Sequence, residues 1–468
     1  MRLRAGALAL LILLCGCGTY FPVNEPLREW NPSEGYRAAS HQRALASDEL
    51  VLMLAFSGGG TRAAAFAYGV LEELAVTHVA FDGRVRSLID EIDAVSGVSG
   101  GSFTAAYLGL HGRDVFRDFR GRFLHRNVQA GLLVSLLWPV NWVKLFSPYW
   151  ARSDLAADYY DVHVFDGARF GDLQGVDSPY VAIHATDLTT GSPFAFVQEQ
   201  FDYLCSDLAS YPVSRAVAAS SAVPIVLSPI TLRNYGECGF AAPEWVTEAQ
   251  VESSVLDRKY VNARNLSGYL AKTRRYVRLV DGVVSDNLGV RGPFETWSSI
   301  EVSRRRPAGH RTRHVVLLIV NAQTTPDEQW DSFDLLPSLS VIFDAATSAQ
   351  VNRYNLETIE LLKSRFQGWN ARAASWDPPQ KFSLIETSFV DVKDPAERAY
   401  LNRLATSLAL PDEAVTRLRH AARDALRSDP GFRSLVERLN AARRPTRESA
   451  DAQRAAGERR RAPARVER

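Results

Sequence analysis

Three short runs of the 468-residue chain place a nucleophile, carboxylates and unblocked backbone amides where they could act together. Gly97-Val98-Ser99-Gly100-Gly101 has the Gly-x-Ser-x-Gly spacing of a nucleophile elbow. In such a turn the serine is strained with its hydroxyl presented, and Gly97 and Gly101 remove side chains that would clash. Ser96 and Ser102 flank it and read as structural. Ser57-Gly58-Gly59-Gly60-Thr61-Arg62-Ala63 strings glycines whose N–H groups can turn toward an anion near a helix start. No Lys-Ser/Thr follows, which excludes a P-loop, and the spacing is not the Gly-x-Gly-x-x-Gly of a dinucleotide site. An oxyanion hole made by Gly58, Gly59 and Gly60 stays open. Val280-Asp281-Gly282-Val283-Val284-Ser285-Asp286 adds two carboxylates. A surface turn is the alternative for Asp281-Gly282.

A serine hydroxyl needs a base within hydrogen-bond reach, normally a histidine oriented by a carboxylate. After Asp281 the remaining histidines are His310, His314 and His420. His310 and His314 precede an apolar run ending near Val320, so they belong at the far end of a strand. His420 lies in a polar C-terminal helical pair, read as lying beyond the main domain. Asp281 is therefore expected to take the Ser99 proton directly, as a dyad, with Asp286 in reserve because Asp286-Asn287 reads as a turn.

The elements that must position these groups alternate. Apolar runs predict strands at Leu50–Phe56, Ile92–Val95, Tyr180–Ala185, Phe194–Val197, Tyr276–Val280 and His314–Val320. Helical patterns fall at Arg62–Val76, Gly101–Leu110, Ser214–Ala222 and Val341–Phe366. The alternation predicts an α/β fold with a central, mostly parallel sheet. All three motifs follow strand ends, at the C-terminal edge where ligands gather in open parallel sheets.

Taken together these residues resemble the patatin-like phospholipase family. Gly58-Gly59-Gly60-x-Arg62 matches its oxyanion motif, Gly97-x-Ser99-x-Gly101 its nucleophile elbow and Asp281-Gly282 its Asp-Gly-Gly/Ala motif. Ser214 to Pro224 resembles a family segment of small residues ending in proline. The resemblance covers Leu50 to Asn321. It implies a three-layer α/β/α fold and a lipid acyl hydrolase with a Ser–Asp dyad. The implied substrate is a phospholipid or another acyl ester, with no metal and no cofactor. Arg62 then supports the glycine loop or faces a lipid phosphate. Ala63 stands where the family often has glycine, and Val283 where glycine or alanine is usual. If that second position needed positive φ, valine would be strained by ~1–3 kcal/mol. A catalytically silent lipid-binding or lipid-carrying lipoprotein is the alternative; the intact Ser99, Asp281 and triple glycine favour the enzyme.

The amino terminus reads as an address. Arg2 and Arg4, the apolar run Ala7–Leu14 and the small residues after it make a secretory signal, too short to span a bilayer. Leu14-x-Gly16-Cys17 resembles a bacterial lipobox, with Cys17 lipidated and first in the mature chain; Cys15, preceded by Leu14, fits poorly. Gly18 at the next position resembles the pattern sent to the outer membrane. Residues 17–49 read as a tether, 50–400 as the acyl hydrolase domain, 401–442 as a C-terminal helical segment and 443–468 as a disordered basic tail. That tail carries nine arginines against four acids from Ala441 onward, although the whole chain has a net charge of only +1. This overall balance gives no case for a nucleic-acid partner. Export into an oxidising compartment leaves Cys205 and Cys238 to form a disulfide. Gly131–Trp150 is unusually apolar but interrupted by Pro139, Asn141 and Lys144. It reads either as core or as a Trp-rich surface that dips into lipid or closes over an acyl site.

Overall fold

Near-continuous apolar runs become strands covered on both faces. The computed structural model describes residues 22–39, 41, 47, 49–81, 84–145, 150–175, 178–255, 257–271, 273–291, 312–325, 339–376 and 379–441. Cys17 with its signal, His310 and the basic tail lie outside the described residues. The central sheet has eight strands: β1 (Leu50–Phe56), β2 (Ile92–Val98), β3 (Tyr180–Asp187), β4 (Pro193–Phe196), β5 (Ile230–Arg233), β6 (Tyr276–Asp281), β7 (His314–Asn321) and β8 (Lys381–Ser388). The run β8-β7-β1-β2-β3 is parallel. β4 and β6 are antiparallel to β3, and β5 is antiparallel to β6. Strands β5 and β8 have no counterpart in the apolar pattern. Each is short or alternates with polar residues, as strands toward a sheet margin do.

The helices that bear on the site are α1 (Gly60–Val76), α2 (Gly100–His111), α3 (Val128–Leu137), α4 (Pro139–Leu145), α5 (Arg152–Tyr160), α6 (Val213–Ser220), α7 (Val283–Asp286), α8 (Leu339–Ala373), α9 (Asp412–Ser428) and α10 (Pro430–Ala441). Alternate residues of β1 feed separate cores. Leu52, Leu54 and Phe56 join the layer that holds Phe66, Phe103 and Leu418. Met53 and Ala55 join Leu362, Phe366 and Trp369 of α8. The result is the expected three-layer α/β/α sandwich. No helix among the described residues is long and apolar enough to cross a membrane.

Two readings of the chain ends change. The C-terminal helical segment does not lie beyond the main domain. α9 packs directly on α1, and Leu418, Ala422 and Leu426 enter the same core. Gly69 of α1 permits the approach, since a Cβ there would lie 2.4 Å from the Arg419 carbonyl oxygen. The presumed tether is docked over much of its length. Tyr36 is fully buried, stacks on Tyr180 with ring centroids 4.8 Å apart, and donates its hydroxyl to the Val181 carbonyl at 3.1 Å. Glu25 and Pro26 pair as a short strand with Asp207 and Ser206. Cys205 and Cys238 are joined by a disulfide with Cα atoms 5.5 Å apart. Both of their carbonyls accept from this same amino-terminal stretch, at Leu27 and Trp30. Prolines and polar residues suggested a linker, but buried Asn24 and Tyr36 tie it down.

Candidate active site

The ends of two strands meet head to head. β2 pairs with residues 180–184 of β3, and β6 pairs with residues 185–187. β4 takes residues 183–186, so it occupies the opposite edge of β3. β2 and β6 therefore share one edge, arriving from opposite directions. β2 stops at Val98, level with His184; β6 stops at Asp281, level with Ala185. The next residue of β2 is Ser99, and its Oγ donates to Asp281 Oδ2 at 3.0 Å. The expected proximity is present, but its cause differs. Asp281 ends an antiparallel strand running into the sheet, not a parallel strand running to its edge.

Ser99 sits at φ 49°, ψ −120°, in a region unfavourable for a side-chain-bearing residue. The glycines around it supply space. A Cβ on Gly97 would lie 2.6 Å from Ser102 Cα, and one on Gly101 would lie 2.6 Å from the carbonyl oxygens of Phe56 and Ser57. Gly100 is tighter still, its Cβ position being 1.9 Å from the Gly60 carbonyl oxygen. Ser102 donates its hydroxyl to the Ser99 carbonyl at 2.6 Å, and Ser96 donates to the Gly289 carbonyl. Both have the structural roles expected of them.

Burial dominates the electrostatics. Asp281 is 3% exposed, and desolvation raises its carboxyl from an ordinary 3.8 to about 7. The Val283 N–H, donated to Oδ1 at 3.0 Å, and the Ser99 hydroxyl pull the other way. Asp286 makes no hydrogen bond with Ser99; its Oδ2 accepts the Arg291 N–H at 2.8 Å. No histidine completes a triad among the described residues. His314 opens β7 beside Leu50, at the end of the sheet away from the serine, with its imidazole pushed down to about 4 by burial. His420 is on α9 and lines a groove with Glu397 and Arg433. His184, on β3, is the histidine nearest in the sheet register. However, Ala185 is the residue paired with Asp281, so the His184 side chain points from the opposite face.

The glycine loop differs from expectation at one position. The Gly58 N–H donates to the Asn287 carbonyl at 3.0 Å, so this structure does not leave it for an oxyanion. Gly58 is instead wedged between chains: a Cβ would lie 2.4 Å from Val283 Cγ2 and 3.4 Å from Ser99 Cβ. The N–H groups of Gly59 and Gly60 have no acceptor among the described residues. Both glycines adopt positive φ, 137° and 60°. Arg62 is 5% exposed and ties the loop down, its Nε donating to the Ala322 carbonyl at 3.0 Å and its Nη atoms to Leu404 O and Thr406 Oγ1. Its role is to hold the loop, not to face a phosphate. Val283 opens the short helix α7 and is absent from the positive-φ residues, so its branched side chain is unstrained. Gly282 serves close approach, a Cβ there lying 2.5 Å from the His184 carbonyl oxygen.

Ser220 is a residue that the motifs missed. Its hydroxyl accepts the Ser99 N–H at 2.8 Å and donates to the His184 carbonyl at 2.6 Å. The carbonyls of Ser220 and Ala222 accept the Gly282 and Asp281 N–H groups. The end of α6 thus clamps both members of the dyad. The only signal was its place in the small-residue run Ser214–Pro224. Among the described residues no group of three or more His, Cys, Asp or Glu is gathered to hold a metal.

Comparison with curated proteins finds no sequence match. Among solved structures, the chain is similar to human GIVD cytosolic phospholipase A2 at 12% identity, over 85% of this chain and 61% of that one, with a TM-score of 0.45. It is similar to VipD from Legionella pneumophila at 12% identity, over 89% and 71%, with a TM-score of 0.31. The chain spans about three fifths of the length of the human protein. Residues 54–293, just over half of the 468, match the family model of patatin-like phospholipases. That span holds the glycine loop, the elbow at Ser99 and Asp281, and the chain belongs to the patatin-like phospholipase family.

Proposed function

We propose that this chain is a serine lipid acyl hydrolase, of phospholipase A, lysophospholipase or esterase type, working through the Ser99–Asp281 dyad. The observation that carries this reading is the 3.0 Å hydrogen bond from Ser99 to a carboxylate raised to about 7. A base of that strength is matched to neutral pH. Asp281 takes the Ser99 proton as Oγ attacks the ester carbonyl carbon. The Gly59 and Gly60 N–H groups, with the amino-terminal end of α2, face the developing oxyanion. Collapse expels the alkoxide, which takes the proton from Asp281, and leaves an acyl-Ser99 ester. Water then gives a proton to Asp281 and attacks the acyl carbon. Collapse breaks the acyl–Oγ bond, the Ser99 alkoxide takes the proton back from Asp281, and the fatty acid is released.

A fluorophosphonate probe tests this reading. Covalent mass at Ser99, lost in Ser99→Ala, is expected; a folded native chain that stays unlabelled would overturn it and favour a silent lipid carrier. Lipidation of Cys17, export and residence on an outer membrane belong to the same proposal, supported by Leu14-x-Gly16-Cys17 and by a disulfide suited to an oxidising compartment. Cys17→Ala should lose the lipid mass and leave the membrane fraction.

A further inference from the structure

Burial and composition disagree most over residues 128–145. Helices α3 and α4 carry no acidic residue and a single cation, Lys144. A helix apolar on all sides is normally a buried one. In α3 only Val128 is buried, and Leu133, Val134, Leu137, Trp138, Val140 and Trp142 are 51–64% exposed. Scattered surface apolar groups need no partner, but a contiguous patch marks a surface that meets something.

Helix α5 links the patch to the dyad. Gly131 of α3 abuts Tyr159 of α5, a Cβ there lying 2.2 Å from the Tyr159 hydroxyl. The next residue, Tyr160, is buried within electrostatic reach of Asp281. At the other end of α5, Arg152 donates to the Ile225 carbonyl at 3.0 Å and the Ser153 N–H to Ser228 Oγ at 3.0 Å. That holds residues 223–228, which follow directly on the clamp at Ser220–Ala222. Here Ile225 and Val226 are 72% and 65% exposed. Ile225 has φ 75°, strained for a β-branched residue. Two exposed apolar segments thus meet α5, one at each end of the helix.

We propose that α3, α4 and the 223–228 loop form a membrane-docking surface that seats this protein on a lipid bilayer. The proposal rests on the lipid hydrolase reading above. Trp138 pairs apolar ring area with an indole N–H, the combination favoured at a bilayer interface. Trp142, whose indole N–H donates to the Leu136 carbonyl at 3.0 Å, adds further exposed ring area. Neither α3 nor α4 carries an acid; Lys144 is paired with Asp158 of α5 at 3.4 Å, and Arg152 borders the patch as the cation that suits anionic headgroups. Ser99 itself is 5% exposed, so an acyl ester drawn from the bilayer along this rim stays out of open water.

The test uses the full chain and vesicles of phosphatidylethanolamine and phosphatidylglycerol with brominated acyl chains. Bromine should quench part of the Trp emission, and that part should vanish in the Trp138→Phe/Trp142→Phe variant. In Leu137→Glu/Trp138→Glu the ratio of vesicle turnover to soluble-ester turnover should fall on the order of tenfold or more. Quenching equal in the native chain and the double Phe variant would overturn the proposal. So would a native dimer that the double Glu variant converts to monomer, since the patch would then cover a second copy. If the native chain hydrolyses nothing, the hydrolase reading fails, while quenching still decides the docking surface.

Discussion

The turns after β1 and β2 are both glycine-rich strand-to-helix junctions, yet they use glycine for different reasons. After β1 the backbone itself is unusual, with Gly59 and Gly60 at φ 137° and 60°. After β2 the unusual backbone belongs to Ser99, and Gly97, Gly100 and Gly101 appear nowhere among the positive-φ residues. Their lack of a side chain makes room for neighbouring backbone. The first turn thus frees N–H groups without straining any side chain. The second places its strain on the residue that carries the hydroxyl, which is how a nucleophile is held at a fixed angle. The two turns interlock where Gly100 meets the Gly60 carbonyl.

Four experiments break or sharpen this contrast. Ser99→Ala should lower ester turnover by about 10⁴-fold or more while the protein remains folded, because the β1 turn alone supplies only oxyanion binding. Retained turnover would move the chemistry elsewhere. Asp281→Asn should cost about 10³–10⁴-fold and remove the acidic limb of the pH profile. In the native chain the rate should rise with pH through about 7, the point at which Asp281 loses its proton. Stability carries the opposite sign. Because the folded carboxyl is raised from 3.8 to about 7, the folded protein pays for ionising it as pH climbs through that window. Asp281→Asn should therefore melt above native at pH 8, with the gap closing as pH falls toward 4. Full activity in this variant, or a gap that widens in acid, would refute the dyad's electrostatics.

Gly100→Ala and Gly59→Ala separate space from conformation. Gly100→Ala forces a methyl into backbone and should cost ~2–4 kcal/mol and the interlock of both turns. Gly59→Ala meets only side chains at 3.3 Å but carries the φ penalty, ~1–3 kcal/mol. Denaturant midpoints should rank them in that order. The smallest effect distinguishes Ser99→Gly from Ser99→Ala. Both lack the hydroxyl, but only glycine relaxes at φ 49°, so Ser99→Gly should be the more stable by about 1 kcal/mol. Equal melting would mean the elbow stores no strain.

Much of the site was legible because its residues are contiguous in sequence and carry type-specific geometry. Gly97, Ser99, Gly101, Gly59, Gly60 and Asp281 announce themselves by spacing. Ser220 and Asn287 do not, since a serine that accepts an N–H and a carbonyl that accepts Gly58 have no residue-type signature. The same limit hid the docking of residues 22–39 and of α9. Polar or proline-bearing composition suggested a tether and an outlying segment, but burying Tyr36 and a face of small residues on α9 takes few side chains.

The sequence by itself determined the turn chemistry and the alternation of strands with helices, because φ preferences and two-faced burial act within a few residues. Only the tertiary structure decided that β6 runs against β3 and stops opposite the end of β2. Strand direction depends on which edge is free when distant segments pair, and no local pattern records that. The same is true of the Asp281 carboxyl. Its identity is written at one position, but its rise to about 7 comes from neighbours that only the fold assembles around it.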